Sequence, residues 1–154
     1  MELIFIRHAK AEERREGLVD IDRHLTDKGK EKYAKLLPEL EEKLGPLKER
    51  NFVSWSSPAN RAQETAALAT DKLKLEKPRI HEIIYTGEIE KFLEALKTVQ
   101  DDATLLVFGH EPTLSEWVYE FTGESRRMRK GSMVSMEVTQ RDPLKATFNW
   151  QIRT

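Results

Sequence analysis

Apolar runs of strand length fall at residues 3–6, 52–55, 80–84 and 105–108, and each is followed by a stretch whose apolar positions recur at helical spacing. That spacing predicts helices over about 27–44, with Tyr33, Leu36, Leu37, Leu40 and Leu44 on one face, and over 58–73, 88–99 and 112–121. Gly45-Pro46 and Gly87 separate them as turns. Strands joined through helices require crossover connections, so the pattern predicts an α/β three-layer sandwich with a mostly parallel central sheet and helices on both faces. Beyond Gly131 the period changes: SMVSMEVT and ATFNWQI flank the turn RDPLK and read as a closing antiparallel hairpin at the sheet edge. Trp55, Trp117 and Trp150 lie in apolar periodic contexts and read as packing residues.

The 154 residues suffice for one domain over 1–154, and no Pro/Gly/Ser-rich linker, charge block or internal repeat divides them. With 26 Lys and Arg against 27 Asp and Glu, the chain lacks the overall basic field that nucleic acid or an anionic membrane demands. Neither is an expected partner, and any anion site must be local. Zero cysteines exclude disulfides, thiolate catalysis and cysteine-ligated metal. No run approaches the roughly 18 apolar residues of a membrane span, and no leader pattern opens the chain, so it reads as soluble and cytoplasmic. No exposed apolar stripe argues for more than a monomer.

Candidate chemistry gathers where the strands end. In open α/β sheets, ligands bind beyond the carboxyl ends of the strands, beside helix N-termini. The first strand runs into Arg7 and His8. The second runs into SSPANRAQET, where Ser57 reads as an N-cap, Pro58 as the first helical residue, and Arg61 falls in the first turn. A cation there opposes the helix dipole and costs stability unless an anion shares the site. The run TLLVFGH ends at His110, just before Glu111-Pro112. Singly, each arginine reads as a surface ion-pair residue and each histidine as a hydrogen-bonded structural one. Jointly, three strand ends deliver Arg7, His8, Arg61 and His110 to one edge. Guanidinium forks suit phosphoryl oxygens, and nearby fixed cations keep an imidazole unprotonated and therefore nucleophilic.

These residues resemble the histidine phosphatase superfamily. The likeness is carried by RHAK at 7–10, RHLT at 23–26, SSPANRAQET at 56–65, FGHEP at 108–112 and FNWQ at 148–151. The short length and that ending look most like SixA-type phosphohistidine phosphatases. The resemblance implies a metal-independent phosphoric hydrolase without cofactor, acting on a histidine-phosphorylated phosphotransfer or carrier domain. It implies that His8 is the nucleophile that becomes phosphorylated, that Arg7, Arg61 and His110 form the phosphate pocket, and that Arg23 joins them. Ala9 stands where many members have glycine, and His24 where a proline is common. Many members protonate the leaving group with a carboxylic acid after the third strand; Glu82 is the nearest match and Glu88 a weaker one, each with a plain reading as a surface carboxylate. The nitrogen leaving from phosphohistidine takes its proton from solvent and needs no such acid. Short spans between the motifs leave the pocket unroofed, as a substrate standing on a protein surface requires. The alternatives are a small-molecule phosphomonoesterase of the same superfamily and a non-catalytic phosphate-binding module.

Three other motifs compete for a role. DID at 20–22 invites a paired-carboxylate or divalent-metal reading, but it follows no apolar strand and reads as a solvated loop. Glu111 beside His110 lacks a further ligand at the spacing of a zinc helix. SRRMRK at 125–130 reads as a solvated face, a phosphoprotein-docking rim or a nucleic-acid patch.

Overall fold

The apolar runs at 3–6, 52–55 and 105–108 become the centre of a six-stranded sheet in the computed structural model, which describes residues 1–153. β1 (Glu2–Arg7) and β2 (Asn51–Ser56) pair in parallel on either side of β4 (Ala103–Gly109). β3 (Arg79–Ile80) extends the parallel part beyond β2, while β5 (Met133–Arg141) runs antiparallel to β1 and hairpins into the edge strand β6 (Leu144–Ile152). Side chains alternate across the pleat. Phe5, Leu105 and Val107 enter one apolar layer with Phe92 and Trp117; Ile4, Ile6, Leu106 and Phe108 enter the other with Tyr33 and Leu40. Both faces are therefore covered, and all seven residues of β4 are buried. Trp55 and Trp117 are buried and Trp150 is half-buried, as their contexts predict.

Three predicted boundaries need correction. The helix expected over 27–44 is two, α1 (Asp27–Ala34) and α2 (Leu37–Leu44), because Pro38 has no N–H for the Ala34 carbonyl and its ring crowds that turn. The strand expected over 80–84 is only Arg79–Ile80, and Glu82–Thr86 forms a short helix, α4. Its partner β2 ends at Ser56, whose carbonyl takes the His81 N–H, so no ladder remains to extend. The third helix, α3 (Asn60–Leu73), starts after Pro58, with Ala59 at the N-cap. Ser57 is therefore not the cap. The remaining helices, α5 (Ile89–Leu96) and α6 (Thr113–Thr122), lie within a few residues of the predicted 88–99 and 112–121. Among the described residues, no helix is long and apolar enough to cross a membrane.

RHLT is in part a scaffold. Thr26 caps α1 by accepting the Gly29 N–H at 2.9 Å, and Leu25 is buried. A Cβ at Gly29 would lie 2.2 Å from the Lys10 carbonyl oxygen, so only glycine lets α1 lie directly on the segment leaving β1. Glu64 of α3 accepts the Leu25 N–H at 2.7 Å and meets His24 Nδ1 at 2.7 Å, which ties the 12–26 loop to α3.

Candidate active site

Backbone bonds fix where the first strand ends. The His8 N–H donates to the Gly109 carbonyl at 3.1 Å, and the Gly131 N–H is shared between the carbonyls of Arg7 and His8 at 3.1 and 3.0 Å. The Ala9 N–H donates to Thr65 Oγ1 at 3.0 Å, and that hydroxyl donates to the Arg61 carbonyl at 2.7 Å. The strand exits and the first turn of α3 are thus one hydrogen-bonded unit.

His8 is 6% exposed, and its Nδ1 lies 2.6 Å from the Ala9 carbonyl oxygen. A carbonyl only accepts, so the proton sits on Nδ1 and the lone pair on Nε2. The His110 ring stands 5.3 Å from it, centroid to centroid. Ser57 Oγ accepts the Ala59 N–H at 3.1 Å and has no other acceptor among the described residues for its own proton, which goes to His110 Nε2 at 2.7 Å. In that tautomer His110 Nδ1 is a buried N–H without a partner. Arg7 gives one terminal nitrogen to the Met128 carbonyl at 3.0 Å, and Arg61 gives both of its terminal nitrogens to Asp20, at 2.8 and 3.0 Å. Arg7 Nε and Arg61 Nε remain buried and unpartnered. Three donors around two imidazoles therefore lack acceptors, each omission costing on the order of 1–3 kcal/mol or more for a charged group. A tetrahedral oxyanion has the acceptor oxygens that this arrangement lacks.

The structure brings Arg7, His8, Arg61 and His110 together at the strand ends, and Arg23 joins through Asp20: its Nε donates to Asp20 Oδ1 at 3.1 Å, and it is close enough to depress both imidazoles. Sequence reasoning misreads Asp20. The first residue of DID is not merely solvated; it bridges Arg61 and Arg23 and accepts the Tyr85 hydroxyl at 2.8 Å. Burial alone would raise its carboxyl, but Tyr85, Arg61 and Arg23 outweigh it and hold the group at about 2. Tyr85, also missed, sets its ring edge-on to His110 at 5.6 Å. Of the expected acids, Glu82 is exposed and Glu88 pairs with Lys91 at 3.0 Å and with the Thr86 hydroxyl. Glu111 is half-buried, which raises its carboxyl, and both of its oxygens accept from Ser115. Among the described residues, no cluster of three or more His, Cys, Asp or Glu could hold a metal ion.

Burial, then the charges of Arg61, Arg7 and Arg23, push His8 down to about 4 despite its bond to Ala9; burial and Arg61 push His110 to about 3. Both imidazoles are neutral at pH 7. Below pH 6.5 the unfolded chain gains protons that the native site refuses, so stability is fully present above 6.5 and falls as pH drops toward 4. For His8 the loss amounts to about 3 kcal/mol over that window. Urea unfolding at pH 7.0 and 4.5 measures it: the His8→Ala variant is expected to show a clearly smaller decrease than wild type, and an equal decrease would mean that His8 titrates normally.

Comparison with known proteins places this geometry. The model of the histidine phosphatase superfamily (branch 1) matches residues 3–85. An uncharacterized protein of Picosynechococcus sp. is 31% identical over 143 residues, covering 88% of this chain and 84% of its own. Among solved structures, the protein histidine phosphatase SixA complexed with tungstate superposes with a TM-score of 0.82 at 23% identity, covering 99% of this chain and 97% of that one. A protein assigned as phosphohistidine phosphatase SixA from Agrobacterium tumefaciens gives 0.81 at 16%, with 99% and 97% covered. A protein assigned as an alpha-ribazole-5'-P phosphatase from Escherichia coli gives 0.75 at 19%, with 97% and 94% covered. The matched residues include the first strand from Leu3 to Arg7 together with His8, Arg23 and Arg61, and on that footing the chain belongs to the histidine phosphatase superfamily, branch 1.

Proposed function

We propose that residues 1–154 act as one catalytic domain that removes phosphoryl groups from phosphohistidine on a partner protein, through a phospho-His8 intermediate. The observation that carries this reading is the set of buried, unpartnered donors Arg7 Nε, Arg61 Nε and His110 Nδ1 beside an imidazole whose tautomer frees Nε2. His8 Nε2 attacks phosphorus, and the bond from phosphorus to the substrate imidazole breaks as that nitrogen takes a proton from solvent. Arg7, Arg61, His110 and Arg23 hold the phosphoryl oxygens and the charge that spreads over them. Water then attacks phospho-His8, releasing inorganic phosphate, a proton to solvent and free His8. The three guanidinium groups supply the cationic field, so the cycle calls for neither metal nor cofactor.

The substrate class rests on the leaving group. An alkoxide needs a positioned acid, and here Asp20 is held ionised, Glu88 is paired and Glu111 is engaged by Ser115. A phosphoramidate nitrogen does not need one. The fold likeness to SixA proteins agrees. A second reading, a small-molecule phosphomonoesterase, draws on the likeness to the alpha-ribazole-5'-P phosphatase and on Glu111, whose raised carboxyl lies near Arg7.

The test is phosphate release, in excess EDTA, from a histidine-phosphorylated phosphotransfer domain and from an alkyl phosphate monoester. Release from the protein with kcat/KM at least about 100-fold above the ester is expected. Ester turnover that is lost in Glu111→Gln, with no release from phosphohistidine, would establish the second reading. A stable complex without release would make the chain a binding module.

A further inference from the structure

The last four residues of SRRMRK, 127–130, form one wall of a groove of about 810 Å³ that runs from Arg7 to α1. That is far more room than one phosphoryl group fills. On the α1 side stand Lys28, Lys32 and Lys35, at i, i+4 and i+7 on one helix face, with Lys10 beside them. Opposite stand Arg127, Arg129 and Lys130. All seven are exposed, and none pairs with a carboxylate within 4 Å among the described residues. In a chain of net charge −1 this is a marked local excess, relieved in the groove only by Glu31. Like charges at i, i+4, and a lysine in the first turn of α1, both cost stability when no anion is present.

The groove is not built for a bare polyanion. Its lining includes Leu36, Met128 and the fully buried Tyr33, whose hydroxyl has no partner. On the other side of Arg7 a second groove sets Glu111, Glu116 and Glu120 against Arg126 and Arg127, so the cationic excess is confined to the α1 side. An occupant that matches both grooves is acidic on the α1 side, partly apolar, and of mixed charge beyond Arg7.

We infer that this groove docks a carboxylate-rich protein surface flanking the phosphorylated histidine of the substrate, so that charge complementarity orients the partner across the pocket. The inference rests on the phosphohistidine reading above. Exposed complementary charges of this kind act on association and are screened by salt.

The test compares wild type with Lys28→Glu/Lys32→Glu/Lys35→Glu on two substrates: a histidine-phosphorylated phosphotransfer domain with carboxylates beside its phosphohistidine, and phosphoramidate. The triple variant is expected to lose about tenfold or more in kcat/KM on the protein, with a flattened salt dependence, and to turn over phosphoramidate within about twofold of wild type. If wild type is active on the protein and the variant equals it, the docking inference fails and the phosphohistidine reading stands. If both substrates decline together, the lysines serve the phosphate pocket and docking is overturned. If single-stranded RNA binds wild type and not the variant while protein turnover is unchanged, the groove belongs to nucleic acid. If wild type acts on neither substrate, the functional reading fails and this inference with it.

Discussion

His8→Ala is expected to abolish turnover, lowering phosphate release from a phosphohistidine protein by about 10⁴-fold or more, the scale seen when a covalent nucleophile is removed. Acid-labile phosphate trapped on wild type by rapid quenching should be absent from the variant. The large effect follows from geometry: Nε2 of His8 is the nitrogen with a free lone pair, because Nδ1 is committed to the Ala9 carbonyl, whereas His110 has its Nε2 committed to Ser57. With His8 held at about 4, the acid limb of kcat/KM should also fall near pH 4 and not at the 6.5 of a free imidazole, since protonation there removes the lone pair. Cooperative urea unfolding of the variant at pH 7 shows that the fold survives. Release above about 1% of wild type, or undiminished labile phosphate, would place the nucleophile elsewhere.

Much of this site was legible because strand ends are legible. Arg7 and His8 follow one apolar run, His110 follows another after Gly109, and Arg61 stands in the first turn of the helix after a third. The parallel order of β1, β4 and β2 then puts those ends side by side. What stayed hidden depends on contacts across long sequence separations. Asp20 reaches Arg61 over 41 positions and Tyr85 over 65, and no period in the chain announces such a meeting. His24, where a proline is common, meets Glu64 from 40 positions away. Boundaries failed for local reasons that propensity blurs: Pro38 inside an apolar stripe that otherwise continues, and a β-branched run after Arg79 whose neighbour strand had already ended. Ser57 was singled out for the right chemistry with the wrong partner. Its hydroxyl does accept a backbone N–H near a helix start, but its second bond sets the tautomer of His110.

Asp20→Ala is expected to lower kcat by about 10- to 100-fold, the scale of a catalytic group misplaced by around an ångström. Asp20 is a positioning residue: its carboxylate holds Arg61 Nη2 and Arg23 Nε, and its backbone carbonyl holds Arg61 Nη1. Alanine keeps only the last of these bonds, so the Arg61 and Arg23 guanidinium groups can swing away from the positions at which their charges act on His8 and His110. The same substitution removes a negative charge from beside two arginines, so inorganic phosphate should inhibit the variant as strongly as wild type or more so. Opposite directions for kcat and product affinity separate positioning from simple unfolding, which would weaken both. Asp20→Asn, which retains an acceptor but not the charge, should recover part of kcat while keeping the tighter phosphate binding. If Asp20→Ala instead turned over normally, or lost phosphate affinity in step with kcat, the carboxylate would be an ordinary ion-pair residue and Arg61 would owe its orientation to α3 alone.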